Sequence, residues 1–119
     1  MKLEDCTKDE LIYLLNRRCW SYISSTSEFE FDVLMYRSEE TNKAMGYESE
    51  KEAEALAEYT ELLKPYVGER LADIPENIIN KASNAMDRYK KHRDAYASLR
   101  RKHEKIQKQL DENLNKKGE

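Results

Sequence analysis

From Ile78 to Leu110 the chain repeats one spacing without a miss. Ile78, Ala82, Ala85, Tyr89, His92, Tyr96, Leu99, His103, Ile106 and Leu110 follow one another at steps of four and three. That is the a/d repeat of a helix that needs a helical neighbour, and neither a strand nor a loop has a use for it. No Gly or Pro interrupts the run, and Pro75 stands where a first helical residue can lack its N–H. The pattern predicts one helix over 75–114, roughly 60 Å long at 1.5 Å per residue.

The seam changes along its length. Up to Tyr89 the neighbouring positions hold Ile79 and Met86, which broadens the stripe to the width of a core-facing helix. Beyond Tyr89 they hold Arg93, Arg100 and Gln107, leaving a narrow seam suited to a single partner helix. Tyr and His are poor knobs for a parallel two-stranded zipper, and Arg88 of one copy would face Arg93 of another. An antiparallel partner is therefore expected, with Tyr96, Leu99, His103, Ile106 and Leu110 as the oligomerisation seam of an antiparallel homodimer unless the chain covers it itself.

Three shorter helices are expected upstream. Thr7 to Glu10 has the capping-box form that opens a helix over 8–25, with Cys6 and Leu11 placed as its hydrophobic staple. Leu11, Ile12, Leu15, Cys19, Tyr22 and Ile23 make its apolar stripe, and Trp20 lies beside that stripe, either packed under a neighbour or anchoring a partner. The hydroxyl run Ser24 to Ser27 either ends this helix, with a second box at Ser27 and Glu30, or kinks a longer one. Phe29 to Tyr36 alternates at first like a strand, but a lone strand has nothing to pair with, so a central buried helix over 28–45 is expected, stopped by Gly46. Ser49 to Glu52 repeats the capping-box form and opens a helix over 50–64. Its inner face is read as Ala53, Leu56, Ala57, Thr60 and Leu63, flanked by Tyr59 and Leu62, and its outer face as Glu50, Glu54, Glu58 and Glu61. Asp73 is placed to cap the long helix.

With 38% charged residues, three Gly and two Pro in 119 positions, the fold class is all-α. It is read as a small helical bundle with one long C-terminal coiled-coil-like helix, in one domain over 1–119. The opening residues lack a basic region followed by an apolar run, and no apolar stretch approaches a membrane span, so a cytoplasmic protein with no membrane partner is expected. Cys6 and Cys19 form no C-x-x-C and are expected to remain reduced thiols.

Charge is segregated. Residues 1–26 carry four Lys/Arg against four Asp/Glu, residues 27–76 carry five against fourteen, a net of −9, and residues 77–119 carry twelve against six, a net of +6. The simplest reading is that the acidic and basic segments lie side by side. His92 and His103, eleven apart on one helix, stand about 16 Å apart and cannot share a metal. No zinc-ligand spacing, phosphate loop or nucleophile elbow is present, so neither a cofactor nor catalysis is expected.

Two binding readings remain, beside a structural role for the coiled coil. In one, the basic helix tracks a nucleic-acid backbone through Arg88, Lys91, Arg100, Arg101 and Lys105, with Tyr89 and Tyr96 interleaved. In the other, the chain binds a host or partner protein, and the rank Glu50, Glu54, Glu58 and Glu61 occupies a basic groove that ordinarily holds phosphates. The opening Met1-Lys2-Leu3-Glu4-Asp5-Cys6-Thr7-Lys8-Asp9-Glu10-Leu11-Ile12 resembles the openings of small accessory proteins carried by phages and mobile elements of Gram-positive bacteria. Those include inhibitors of host defence nucleases, among them anti-CRISPR proteins. The resemblance implies a small, acidic, non-catalytic inhibitor in the host cytoplasm, acting on a target such as a CRISPR effector, and it assigns no site residue.

Overall fold

Helix α1 spans Lys8–Arg17, α2 spans Thr26–Leu63 and α3 spans Glu76–Lys117, with single 3-10 turns at Leu3–Asp5, Lys64–Tyr66 and Leu71–Asp73. The computed structural model describes residues 3–17 and 26–117, and among these there is no strand. The all-α class and the long C-terminal helix are as the sequence predicts. Expectations for Cys19, Trp20, Tyr22, Ile23, Ser24 and Ser25 lie outside the described residues. Ser27 already lies within α2, so it does not begin a helix.

The largest departure is α2. The expected helices 28–45 and 50–64 are one helix of 38 residues that passes through Gly46 and through the Ser49–Glu52 box. A single mid-helix glycine costs only about 1 kcal/mol relative to alanine, and the helix formers on both sides outweigh it. Among the described residues only Gly68, at φ +85°, takes the left-handed conformation that ends a helical segment. A Cβ built at Gly46 meets nothing within 4 Å. Gly46→Ala is therefore expected to stabilise the protein by about 0.5–1 kcal/mol, seen as a rise in the thermal midpoint. A fall would show that the helix is broken there.

The chain divides into two compact units, 1–43 with 101–119, and 44–100. In the first, the Thr7 box forms as expected: the Thr7 amide donates to Glu10 at 2.9 Å and the Glu10 amide to Thr7 Oγ1 at 3.2 Å. Glu10 is buried, and the same carboxylate accepts from Arg37 of α2 through Nε and, at 3.1 Å, through a terminal nitrogen. Arg37 also donates to the carbonyl of Asp5 at 3.4 Å. One carboxylate thus starts α1 and fastens it to α2. Burial pushes the Glu10 carboxyl up, but the hydrogen bonds from Arg37 and from Thr7, with the guanidinium charge, bring it below its ordinary value.

Two apolar clusters flank the start of α2. Leu14, Phe29 and Val33 are buried together, with Cys6 packed on them, and burial raises the Cys6 thiol above its ordinary value. Leu34, wholly buried, packs with Ile106 and Leu110, bordered by Phe31 and Met35. The expectation of a central, most buried segment at 29–36 holds here. Next along the same contact, Ser38 Oγ lies 3.3 Å from His103 Nε2 and accepts from Gln107 at 3.2 Å. Residue numbers rise along α2 as they fall along α3, so the pairing is antiparallel.

This corrects the oligomerisation seam. Ile106 and Leu110, 4% and 6% exposed, are covered by Leu34 of their own chain, and His103 is held by Ser38. Tyr96 and Leu99 are half-buried. His103, Ile106 and Leu110 find their antiparallel partner within the chain, on α2.

In the second unit α2 and α3 again run antiparallel, with Glu48 against His92 and Glu58 against Arg88. Ala55, Ala82 and Ala85 are buried where the helices meet. The inner face expected for 50–64 is wrong by a rotation: Ala53, Leu56, Ala57 and Thr60 are exposed. Met45, Glu48, Glu52, Ala55, Tyr59 and Leu62, at steps of three and four, are sheltered, as are Ala44, Lys51 and Leu63, so of the expected face Leu63 and the flanking Tyr59 and Leu62 hold. The positions at steps of three and four extend the heptad register of Leu34, Ser38 and Thr41, and the helix turns toward its partner the face that register selects, polar residues included. Buried Thr41 satisfies its hydroxyl on the carbonyl of Arg37 at 2.7 Å. The long helix starts one residue later than expected, with the Pro75 carbonyl accepting from Ile78 and Ile79 at 3.0 and 3.1 Å.

Candidate protein-binding face

Because Ala55 faces inward, the residues on the far side of the same turns of α2 face solvent. Glu50 and Glu61 stand there, and Glu54, exposed as well, stands on the rim of a groove toward α3; the three span about 16 Å of helix axis. The i to i+4 step is about 6 Å, a distance over which a nucleic-acid strand presents one or two phosphates. Glu54 accepts from Lys51 on its own helix at 3.3 Å, which raises the Lys51 ammonium above its ordinary value. Glu58 departs from the rank: it turns to the flank of α2 and pairs with Arg88 of α3.

That pair joins residues that the sequence assigns to rival surfaces, one to the acidic rank and one to the basic run. Lys91, Arg100, Arg101 and Lys105 are exposed. Tyr89 and Tyr96 are not displayed beside them: both are half-buried at seam positions, and Arg93 lies over the Tyr89 ring at 5.8 Å from its centroid. Tyr89, one of the two rings that a single strand would stack on, lies beside Ser49, Glu52 and Leu56 of α2. Part of the basic charge is also matched within the chain.

Glu48 is the residue that sequence reasoning missed. It pairs with His92 Nδ1, both side chains being about four-fifths buried, at 18% and 20% exposed. Its only signal in the sequence is its distance of seven from Thr41 and from Ala55, two buried seam positions. Beside it, Lys51, Glu54, Glu58, Arg88 and His92 line a groove of about 230 Å³ whose walls hold no serine, threonine or cysteine.

Comparison with protein families, curated proteins and solved structures finds no match to this chain. What it can do is therefore read from its own surfaces. Among the described residues no three His, Cys, Asp or Glu side chains gather as a metal site would need. No described helix is long and apolar enough to cross a membrane.

Proposed function

We propose that this chain is a non-catalytic protein-binding protein that sets the exposed carboxylates Glu50, Glu54 and Glu61 of α2 into a basic, nucleic-acid-binding surface of a host protein. The observation that carries this reading is their outward placement over about 16 Å of one continuous helix, with buried Ala55 behind them where that helix meets α3. Fixed charge on a rigid element loses little entropy on docking and speeds encounter with an oppositely charged groove. The resemblance of the opening residues to phage accessory proteins supports an inhibitor of the anti-CRISPR kind, with a CRISPR effector as one target of fitting chemistry. Glu58 drops out of the binding set, since Arg88 ties it to the facing helix, whereas Lys51 holds Glu54 only within its own helix.

The test is affinity capture from nuclease-treated host cytosol with the wild type and with Glu50→Lys, Glu54→Lys and Glu61→Lys combined. These positions are exposed, so helicity should be unchanged while capture of one basic protein is lost. The nucleic-acid reading makes the opposite prediction. There, the wild type would retain short DNA at about 0.15 M salt, and Arg100→Glu, Arg101→Glu and Lys105→Glu would release it, each lost contact flattening the salt slope by about one.

A further inference from the structure

One flank of the second unit is apolar and open. Along α2, Glu52, Leu56, Tyr59 and Leu63 follow at steps of four, three and four; along α3, Ile79, Ser83, Met86 and Lys90 do the same. These two rows border two grooves, of about 330 and 220 Å³. Leu71 and Ile74 of the connector close the larger one, and Tyr89 lies in the smaller. Ile79, Met86, Tyr59 and Leu63 are only half-buried, and Leu56 and Leu71 are exposed. The sequence broadens its stripe at Ile79 and Met86 as a core-facing helix does, yet the facing helix covers only the alanine side of that stripe.

We propose that this flank pairs with the same flank of a second copy, about a two-fold axis parallel to the helices, to form a four-helix bundle. The two rows themselves decide for a second copy. Each row is apolar at its connector end, with Leu63 on α2 and Ile79 on α3, and charged at the other, with Glu52 on α2 and Lys90 on α3. An axis parallel to the helices keeps connector end on connector end and sets α2 of each copy against α3 of the other. Leu63 then meets Ile79 of the second copy, Glu52 meets Lys90 of the second copy, and every neighbouring helix is antiparallel. A two-fold axis perpendicular to the helices instead places Glu52 against Leu63 and Lys90 against Ile79, burying charges on apolar side chains. Asp87 shares the larger groove and lies one turn from Lys90, at the polar margin. This surface adjoins the seam, sharing Glu52 and Tyr59 at its margin, and it is the part that the facing helix leaves open. It differs from the face of Glu50, Glu54 and Glu61, so the pairing stands or falls independently of the proposed function.

Sedimentation equilibrium on the full chain tests it. The wild type should show twice the monomer mass at tens of micromolar, and Met86→Glu should reduce it to monomer with its helical circular dichroism intact. Glu52→Lys and Lys90→Glu should each weaken the dimer about tenfold, because two symmetry-related attractions become repulsions. The double variant should restore it to within a few-fold of wild type. A strict monomer at about 100 µM would overturn the proposal, as would a dimer indifferent to Met86→Glu or a double variant no better than the single ones.

Discussion

Leu34→Ala is expected to destabilise the protein by about 3 kcal/mol, a fall of about 10–15 °C in the thermal midpoint. Leu34 is wholly buried against Ile106 and Leu110, and its removal leaves a cavity that two long helices, each fixed elsewhere along its length, are poorly placed to close. Leu114→Ala provides the comparison: the same atoms are deleted from a side chain 53% exposed on α3, and the cost should stay below about 1 kcal/mol. Thermal unfolding followed by circular dichroism distinguishes the two. Equal losses would mean that α3 does not pack on α2 at Leu34.

Arg37→Met is expected to cost about 2–3 kcal/mol at neutral pH. It leaves Glu10, 5% exposed, without its guanidinium; the figure lies below that for a fully buried pair because Arg37 keeps 30% of its side chain in solvent. The pH dependence follows from the direction of the Glu10 shift. Its carboxyl is held below the ordinary value when folded, so its contribution is full above the unfolded pKa of about 4.3 and is lost as pH falls through the folded value. In Arg37→Met the burial that raises this carboxyl persists, and of the interactions that lower it only the Thr7 hydrogen bonds remain, the hydrogen bonds and charge of Arg37 being gone. The gap between variant and wild type should therefore be wide at pH 7 and close below about pH 4. Thermal midpoints across pH 3–7 check this. A gap constant over that range would show that Arg37 acts through packing alone.

The two halves of the helix pairing were not equally legible. The α3 seam announces itself because every a and d position from Ile78 to Leu110 is apolar, aromatic or histidine. Its counterpart on α2 holds Ser38, Thr41, Glu48 and Glu52, residues that a hydrophobicity pattern assigns to solvent. Ser38 and Glu48 are acceptable there because His103 and His92 face them, and those partners lie 65 and 44 residues away. Local reading had no access to them, and so it rotated the inner face toward Ala53, Leu56 and Ala57. Gly46 and the Ser49 box misled for a related reason. Each is a genuine local signal worth about 1 kcal/mol, overruled by pairing that accumulates along the whole helix. The Thr7 box could be read correctly because its two hydrogen bonds close within four residues. At the candidate site, spacing sufficed to place Glu50, Glu54 and Glu61 outward. The withdrawal of Glu58 depends on Arg88, thirty residues on, and was not legible.

The central claim is that exposed carboxylates of α2 take the place of phosphates on a protein target. It is tested most directly by competition on the basic protein recovered by affinity capture. Labelled nucleic acid bound to that target is titrated with the wild type and with the Glu50→Lys, Glu54→Lys and Glu61→Lys variant, at about 0.05 and 0.2 M salt. The account predicts complete displacement by the wild type, weaker at the higher salt, and none by the variant. A target that holds nucleic acid and this protein together, or a variant that displaces as well as the wild type, would contradict it.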